Sequence, residues 1–296
     1  MNKRFENKNT GLLQQSDLRT VRGKISYWMI FAILMLCSLV FLLPVIWVLL
    51  SGFKDTREFL SVTGSIFPES YDFSKFATAF GRFSLGKYYI NSFALVAGQL
   101  VFSITVTGLG GYALSRIKPI GSQIVATLIL WTLLFPGSMS LIPLFQSFCD
   151  LPYLHINLTD SYWPVFLMAG ANAFNVLLFK SFFDGIPMSY LEASKIDGAS
   201  NMGIFFKIIL PLSKPIVMVV AIFTFNGAWS AFLWPYLIIK SDNIQVLAVK
   251  LYTIKGSVEI AEYMRILLFS IIPPAIMFSL FSKQIMGGLN MSGIKG

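Results

Sequence analysis

The sequence predicts an all-α, polytopic membrane bundle of about six crossings, on three observations. Of 296 residues, 55% are hydrophobic and only 12% are charged, about half the charge of an average soluble domain. The mean hydropathy is +0.70. The apolar residues also gather into runs of about 20, the length of one bilayer crossing. A run in lipid must be helical, because each backbone N–H and C=O has to find its partner inside the segment.

Six such runs occupy residues 27–50, 93–114, 124–145, 162–182, 216–239 and 264–286. The first two stand out most clearly. Pro136-Gly137 falls in the third run and Pro273-Pro274 in the sixth, and each pair predicts a kink or a non-helical turn lining a cavity. Residues 1–26 read as a basic tail, expected to be loose up to about Val21, and 27–296 as the membrane domain. The first run is about twice as long as a signal-peptide core and lacks a small-residue cleavage site, so it is expected to persist as an anchor.

An even number of crossings puts both termini on one side. Lys3, Arg4, Lys8, Arg19, Arg22 and Lys24 precede the first run, and Arg116, Lys118, Lys180, Lys195, Lys207, Lys214 and Lys283 share their face. The basic residues of the other face are spread through two long loops, 52–92 and 240–263. Short basic flanks weigh most in topology, so the termini and the segment 188–212 are expected in the cytoplasm. The net charge of +9 then reflects topology, and no nucleic-acid partner is expected.

Little in the chain points to chemistry. Cys37 and Cys149 lie too far apart in the predicted topology to bridge, and His155 stands alone in a loop without ligand-spaced partners, so no metal site is expected. The runs hold almost no Asp, Glu or His, which a membrane enzyme would need to converge on one site. An ion-coupled carrier would usually carry intramembrane carboxylates or matched broken helices, and neither is evident. No catalytic residue is assigned.

The segment between the fourth and fifth runs is different. Ser189-x-x-Glu192 has capping-box spacing, Gly198 permits a left-handed or otherwise tight turn, and 199–210 reads as a second helix presenting Met202, Phe205, Phe206, Ile209 and Leu210. It is too polar at its start to cross the bilayer. A helical elbow of this kind suits either of two settings, an interface helix lying on lipid or a knob that fits a groove on a partner.

The ordered positions Glu192, Ala193, Ser194, Gly198, Ile208, Leu210 and Pro211 resemble the pattern Glu-Ala-Ala, three residues, Gly, nine residues, Ile, one residue, Leu-Pro. That pattern belongs to the permeases of binding-protein-dependent ABC importers. Ser194 departs from it, a small residue where the second alanine stands. Asn175, Phe182, Phe183, Ile186 and Pro187 before the elbow and Leu212-Ser213-Lys214-Pro215 after it are similar to the carbohydrate-uptake group. So are Gly111-Tyr112-Ala113-Leu114-Ser115-Arg116, Ile142-Pro143-Leu144-Phe145, Phe232-Leu233-Trp234-Pro235 and the tail Gly288–Gly296, the last resembling maltose-type permeases.

The resemblance implies a type I ABC importer permease in a bacterial cytoplasmic membrane, with a carbohydrate, expected to be an oligosaccharide, as cargo. A non-sugar solute is the alternative, because the elbow pattern is shared across substrate classes. It also implies that Glu192, Ala193, Ser194, Asp197, Gly198, Ile208, Leu210 and Pro211 contact or shape the joint with an ATPase. The chain contains no G-x-x-x-x-G-K-[ST], so ATP and Mg are expected on separate ATPase subunits and no cofactor on this one. Two ATPases, a second permease, commonly a different one, and an extracellular solute-binding protein complete the implied assembly, with 240–263 as the loop expected to reach toward the binding protein.

Polar groups in the runs are the remaining candidates. Gln99, Asn172, Asn175, Asn226 and Trp229 suit a sugar path, since amides bond hydroxyls and aromatic faces stack on sugar rings, and Asn172 and Asn175 are spaced to share a helical face. The bland alternatives are amides that join helices and an interface-anchoring Trp. Gly108, Gly110 and Gly111 read as close-packing positions, and Lys180 as a side chain snorkelling to the cytoplasmic surface.

Overall fold

A computed structural model of the chain describes residues 20–61 and 65–292, with side chains as far as residue 282. The predicted tail as far as residue 19 and the motif residues beyond 292 lie outside the described residues. Those described fold into helices and connections with no strand among them.

The helices are α1 (Val21–Phe53), α2 (Thr56–Leu60), α3 (Ser74–Arg82), α4 (Leu85–Ile117), α5 (Ser122–Thr132), α6 (Leu141–Cys149) and α7 (Trp163–Gly170). They continue with α8 (Ala173–Asp184), α9 (Ser189–Ile196), α10 (Asn201–Leu212), α11 (Lys214–Trp229), α12 (Leu233–Ile238), α13 (Leu247–Ile254) and α14 (Ile260–Ser292). Four stretches are long and apolar enough to cross a membrane: α1, α4, α7 with α8, and α14. Two helix pairs qualify only as bent units, α5 with α6 at 97° and α10 with α11 at 84°, bringing the count to as many as six.

The predicted runs differ from the helices where proline and polar side chains intervene. The second run begins early, at Leu85, and includes two π-helical turns, Ser103–Thr107 and Ala113–Ile117. The third breaks as Pro136-Gly137 suggested, with Pro136 extended between α5 and the turn leading into α6. The fifth stops at Trp229 rather than at 239. Pro235 has no N–H to give back to residue 231, and it sits in the first turn of α12, where that loss is harmless.

The sixth run behaves in the opposite way. The sequence predicts an interruption at Pro273-Pro274, yet α14 continues through both. Each proline deprives a carbonyl four residues earlier of its helical donor, here those of Phe269 and Ser270. The Tyr89 hydroxyl of α4 donates to the first, and Trp229 Nε1 of α11 donates to the second at 3.0 Å. Two neighbouring helices thus supply the donors that the prolines lack.

Three apolar clusters hold the bundle. One joins α3, α4, α11, α13 and α14 around Leu85, Val96, Phe225, Trp229, Leu247 and Ile266. A second joins α4, α8, α9, α10 and α11 around Tyr112, Phe179, Phe183, Leu191, Phe205 and Ile209. The third gathers Leu95, Phe148, Val165, Ile238 and Val249. The end holding α9 and α10 is the elbow end; the end with the long connections and α12–α13 is the loop end. At the crossing of α4 and α8, a Cβ on Gly111 would lie 2.7 Å from Phe179 Cβ and 2.9 Å from Lys180 N, so only glycine permits this approach.

Candidate functional site

Between the clusters α4, α7, α8 and α11 line an open cavity of about 400 Å³, within the range of small-ligand sites. Gln99 and Ser103 enter from α4, Asn172 and Asn175 from the start of α8, and Thr224 from α11, with Ala169, Gly227 and Ala228 giving room. The exposed rings of Phe174 and Phe223 meet at 6.3 Å beside it. No charged side chain is among the lining.

The polar lining is organised around Ser103. Asn175 Nδ2 donates to its hydroxyl at 3.0 Å, and Thr224 Oγ1 does so at 3.0 Å. Ser103 opens the first π turn of α4, and such turns recur where a helix must aim side chains at a site. Asn172 is not on a helical face with Asn175 as the spacing predicted. It precedes α8 as its N-cap, extended at ψ 105°, and its side chain accepts the N–H of Asn175 at 2.9 Å. Gln99 is only 9% exposed, and its Nε2 is buried without a hydrogen-bond partner. A buried amide left without an acceptor is costly, and this one lies on the cavity wall.

Asn226 and Trp229 do not share this lining. Asn226 is exposed, turned away from the cavity by one residue along α11 from Gly227. Trp229 is buried against Tyr89, Phe93 and Phe225 and committed to Ser270. Sequence reasoning missed Ser103 and Thr224, whose small hydroxyls in apolar helices resemble many side chains that bond back to their own backbone.

The elbow forms, with a different start from the one the spacing predicts. No capping box is made at Ser189, which lies inside α9; the Met188 carbonyl accepts from the N–H groups of Leu191 and Glu192 at 2.9 and 3.1 Å. The helix ends in a Schellman motif. Gly198, at φ +78°, donates to the Lys195 carbonyl at 3.0 Å and Ala199 to that of Ser194 at 3.0 Å. The Ser194 hydroxyl bonds back to the Tyr190 carbonyl at 2.6 Å, which satisfies the polar atom that this position adds to an otherwise apolar contact.

Leu191 and Ser194 face the bundle, whereas Glu192, Ala193, Lys195, Asp197 and Ile196, the last 86% exposed, face outward. Ser200 caps α10 by accepting from Gly203 N at 3.1 Å. The apolar face predicted for 199–210 is divided: Phe205 and Ile209 are fully buried, while Met202 and Phe206 stay exposed. A π turn over Phe205–Ile209 precedes the bend into α11; there Ile208 and Leu210 are half-buried and Pro211 is exposed.

A helical bundle with an uncharged pocket between its helices, and a two-helix elbow at one end, has the build of a membrane transport subunit. Residues 10–285 match the family described as "Binding-protein-dependent transport system inner membrane component", and the chain belongs to that family. It is 28% identical to the diacetylchitobiose uptake system permease protein of Streptomyces coelicolor over 88% of this chain and 86% of that one. Two Bacillus subtilis proteins are also similar. The polygalacturonan/rhamnogalacturonan transport system permease protein is 29% identical over 93% and 100% of the two chains, and the galactooligosaccharides transport system permease protein 31% over 93% and 98%. In fold the chain matches a solved bacterial ABC transporter involved in the import of the acidic polysaccharide alginate, with TM-score 0.76 and 22% identity over 93% and 99%.

The chain is therefore a multi-pass permease subunit of the inner membrane, not an enzyme. ATP hydrolysis belongs to a separate ATPase subunit, and a solute-binding protein serves the same importer.

Proposed function

We propose that this chain forms one half of the pathway of a carbohydrate importer, with a second, different permease forming the other half. The observation that carries the reading is the cavity lining: amides of Gln99, Asn172 and Asn175, hydroxyls of Ser103 and Thr224, and two aromatic rings, without a charge. Amides and hydroxyls bond sugar hydroxyls in either direction, and rings pack on the apolar faces of sugars. The names of the relatives point the same way.

In this reading the segment 188–212 faces the cytoplasm with both termini. Glu192, Ala193, Ser194, Asp197, Gly198, Ile208, Leu210 and Pro211 contact or shape the joint with the ATPase, which holds ATP and Mg. Closure of the ATPase pair draws the elbows together and shifts the bundle between two global states.

The test is purification of this chain in mild detergent from its own membrane, with mass spectrometry of the accompanying subunits and ATPase assays with and without neutral oligosaccharides. Recovery of an ATPase and a second permease, with turnover that rises on adding a sugar, supports the reading. A complex stimulated only by a non-sugar solute overturns the substrate class. Glu192→Ala and Gly198→Pro complexes that keep full stimulated turnover overturn the elbow assignment.

A further inference from the structure

The last turn of α4 grips the point at which α8 hands over to the elbow. Arg116 Nη2 donates to the carbonyls of both Phe183 and Ile186, and its Nη1 approaches Met188 Sδ at 3.6 Å. Its Nε is buried without a partner. The neighbouring Ser115 hydroxyl donates to Asp184 Oδ1 at 2.6 Å, while Lys180 holds the other oxygen of that carboxylate at 2.8 Å. These contacts straddle Gly185, the residue that ends α8.

The chemistry suits a clamp. Phe183 lies in the last turn of α8 and its carbonyl also accepts from Ile186 N at 3.0 Å, while Ile186 lies just beyond the helix, so the guanidinium ties the helix end to the connection with a charge matched to the helix terminus. Ser115 and Arg116 lie in the second π turn of α4. The same helix carries Gln99 and Ser103 on the cavity wall, and Gln99 is about 25 Å from Arg116 at the rise of an α-helix. Between them Gly111 presses on the backbone of α8.

We propose that Ser115 and Arg116 pass movement of the elbow into α4, so that Arg116 is a positioning residue of the transport cycle. The proposal rests on the reading of α9 and α10 as the ATPase contact. Without the clamp, the joint at Gly185 absorbs the displacement and the cavity wall stays where it was.

The test uses the whole reconstituted importer, with Cys37→Ser and Cys149→Ser removing the free thiols and Gln99→Cys as a reporter on the cavity wall. The rate of maleimide labelling is measured with and without MgATP and vanadate. The parent is expected to change its rate by about fivefold or more, a usual size for coupling between two sites. Arg116→Ala is expected to lose that response while the complex still turns over ATP, and Arg116→Lys, which keeps the charge on a shorter side chain with a point-like ammonium, to keep only part of it. A merely structural role would lower the yield of complex and leave the response of the assembled fraction intact.

An assembled Arg116→Ala complex with the full response overturns the proposal, as does a parent that does not respond to nucleotide. If Arg116→Ala fails to assemble, Arg116→Lys with Ser115→Ala decides in its place, and a full response there overturns the proposal equally. Adding Gly198→Pro to the parent separates the two readings. Loss of response there with full response in the Arg116 variants leaves the elbow assignment standing and removes the clamp alone, whereas full response in Gly198→Pro removes the elbow assignment.

Discussion

Arg265 and Arg116 do similar work at opposite ends of the bundle. At the loop end Arg265 closes the terminus of α1, donating from Nε to the Gly52 carbonyl at 2.9 Å and from Nη2 to that of Lys54 at 2.8 Å. At the elbow end Arg116 joins Phe183 in the last turn of α8 to Ile186 just beyond it. What surrounds them differs. Asp55 binds Lys75 and Arg265, Glu262 binds Arg82, and Asp242 binds Lys87, Lys250 and the Tyr88 hydroxyl, so the loop end is stitched by charge. Among the described residues the elbow end has one ion pair, Lys180–Asp184, and turns Glu192, Ile196, Met202 and Phe206 outward. One end pairs many of its charges within the chain, and the other leaves charged and apolar side chains together at the surface.

The largest perturbation should strike both ends at once. Gly111→Leu drives a side chain into the backbone of α8, and overpacking at this depth costs about 1–3 kcal/mol or more. The expected outcome is little assembled complex on size-exclusion chromatography; a normal yield would mean that the two helices part easily.

A loop-end change of intermediate size sharpens the contrast. Trp229→Phe leaves the Ser270 carbonyl, already deprived by Pro274, without a donor, at a cost of about 1–3 kcal/mol. Adding Pro274→Ala restores an N–H to that carbonyl. The double variant is expected to melt closer to wild type in detergent than Trp229→Phe does, and additive losses would refute the carbonyl account.

At the elbow, stability and function should separate. Gly198→Ala forces a side chain into the left-handed region for about 1 kcal/mol, confined to an exposed turn. Melting should move by a few degrees at most, while sugar-stimulated ATPase falls severalfold. Equal loss in both measurements would make the elbow a structural element only.

The smallest effect is the pH response of the loop end. Lys87, with help from Tyr88 and Lys250, holds the Asp242 carboxyl down at about 2, below the ordinary 3.8. A depressed acid contributes stability above its ordinary value and loses it as the pH falls, here between about 4 and 2. Asp242 is 60% exposed, so water screens the pair and the contribution stays under about 1 kcal/mol. Melting of wild type at about pH 5 and about pH 3 should differ by more than that of Asp242→Asn, and identical differences would remove Asp242 from the account.

Much of the architecture was legible from local pattern. Apolar runs of bilayer length announced the long helices, Gly198 announced a tight turn, and Pro136-Gly137 announced a kink or turn where α5 and α6 part. Gly111 was readable as a contact point because a small residue in an apolar helix has few other uses. The cavity was readable in part: Gln99, Asn172 and Asn175 were found through the cost of burying amides, whereas Ser103 and Thr224 were not. Ser189 and Glu192 carried the spacing of a capping box that the backbone at Met188 does not make.

The sequence by itself determined which segments are apolar enough to be helical in lipid, where glycine and proline permit turns, and the ordered pattern of the elbow. These depend on a residue and its near neighbours. Tertiary structure decided whether Pro273-Pro274 breaks α14, because the donors that keep it continuous come from Tyr89 and Trp229, far away in the chain. It also decided that Asn226 and Trp229 leave the cavity and that Arg116 meets Phe183 and Ile186. In each case a polar group found its partner on another helix, and which helices meet is set by how their surfaces pack rather than by the spacing along any one of them.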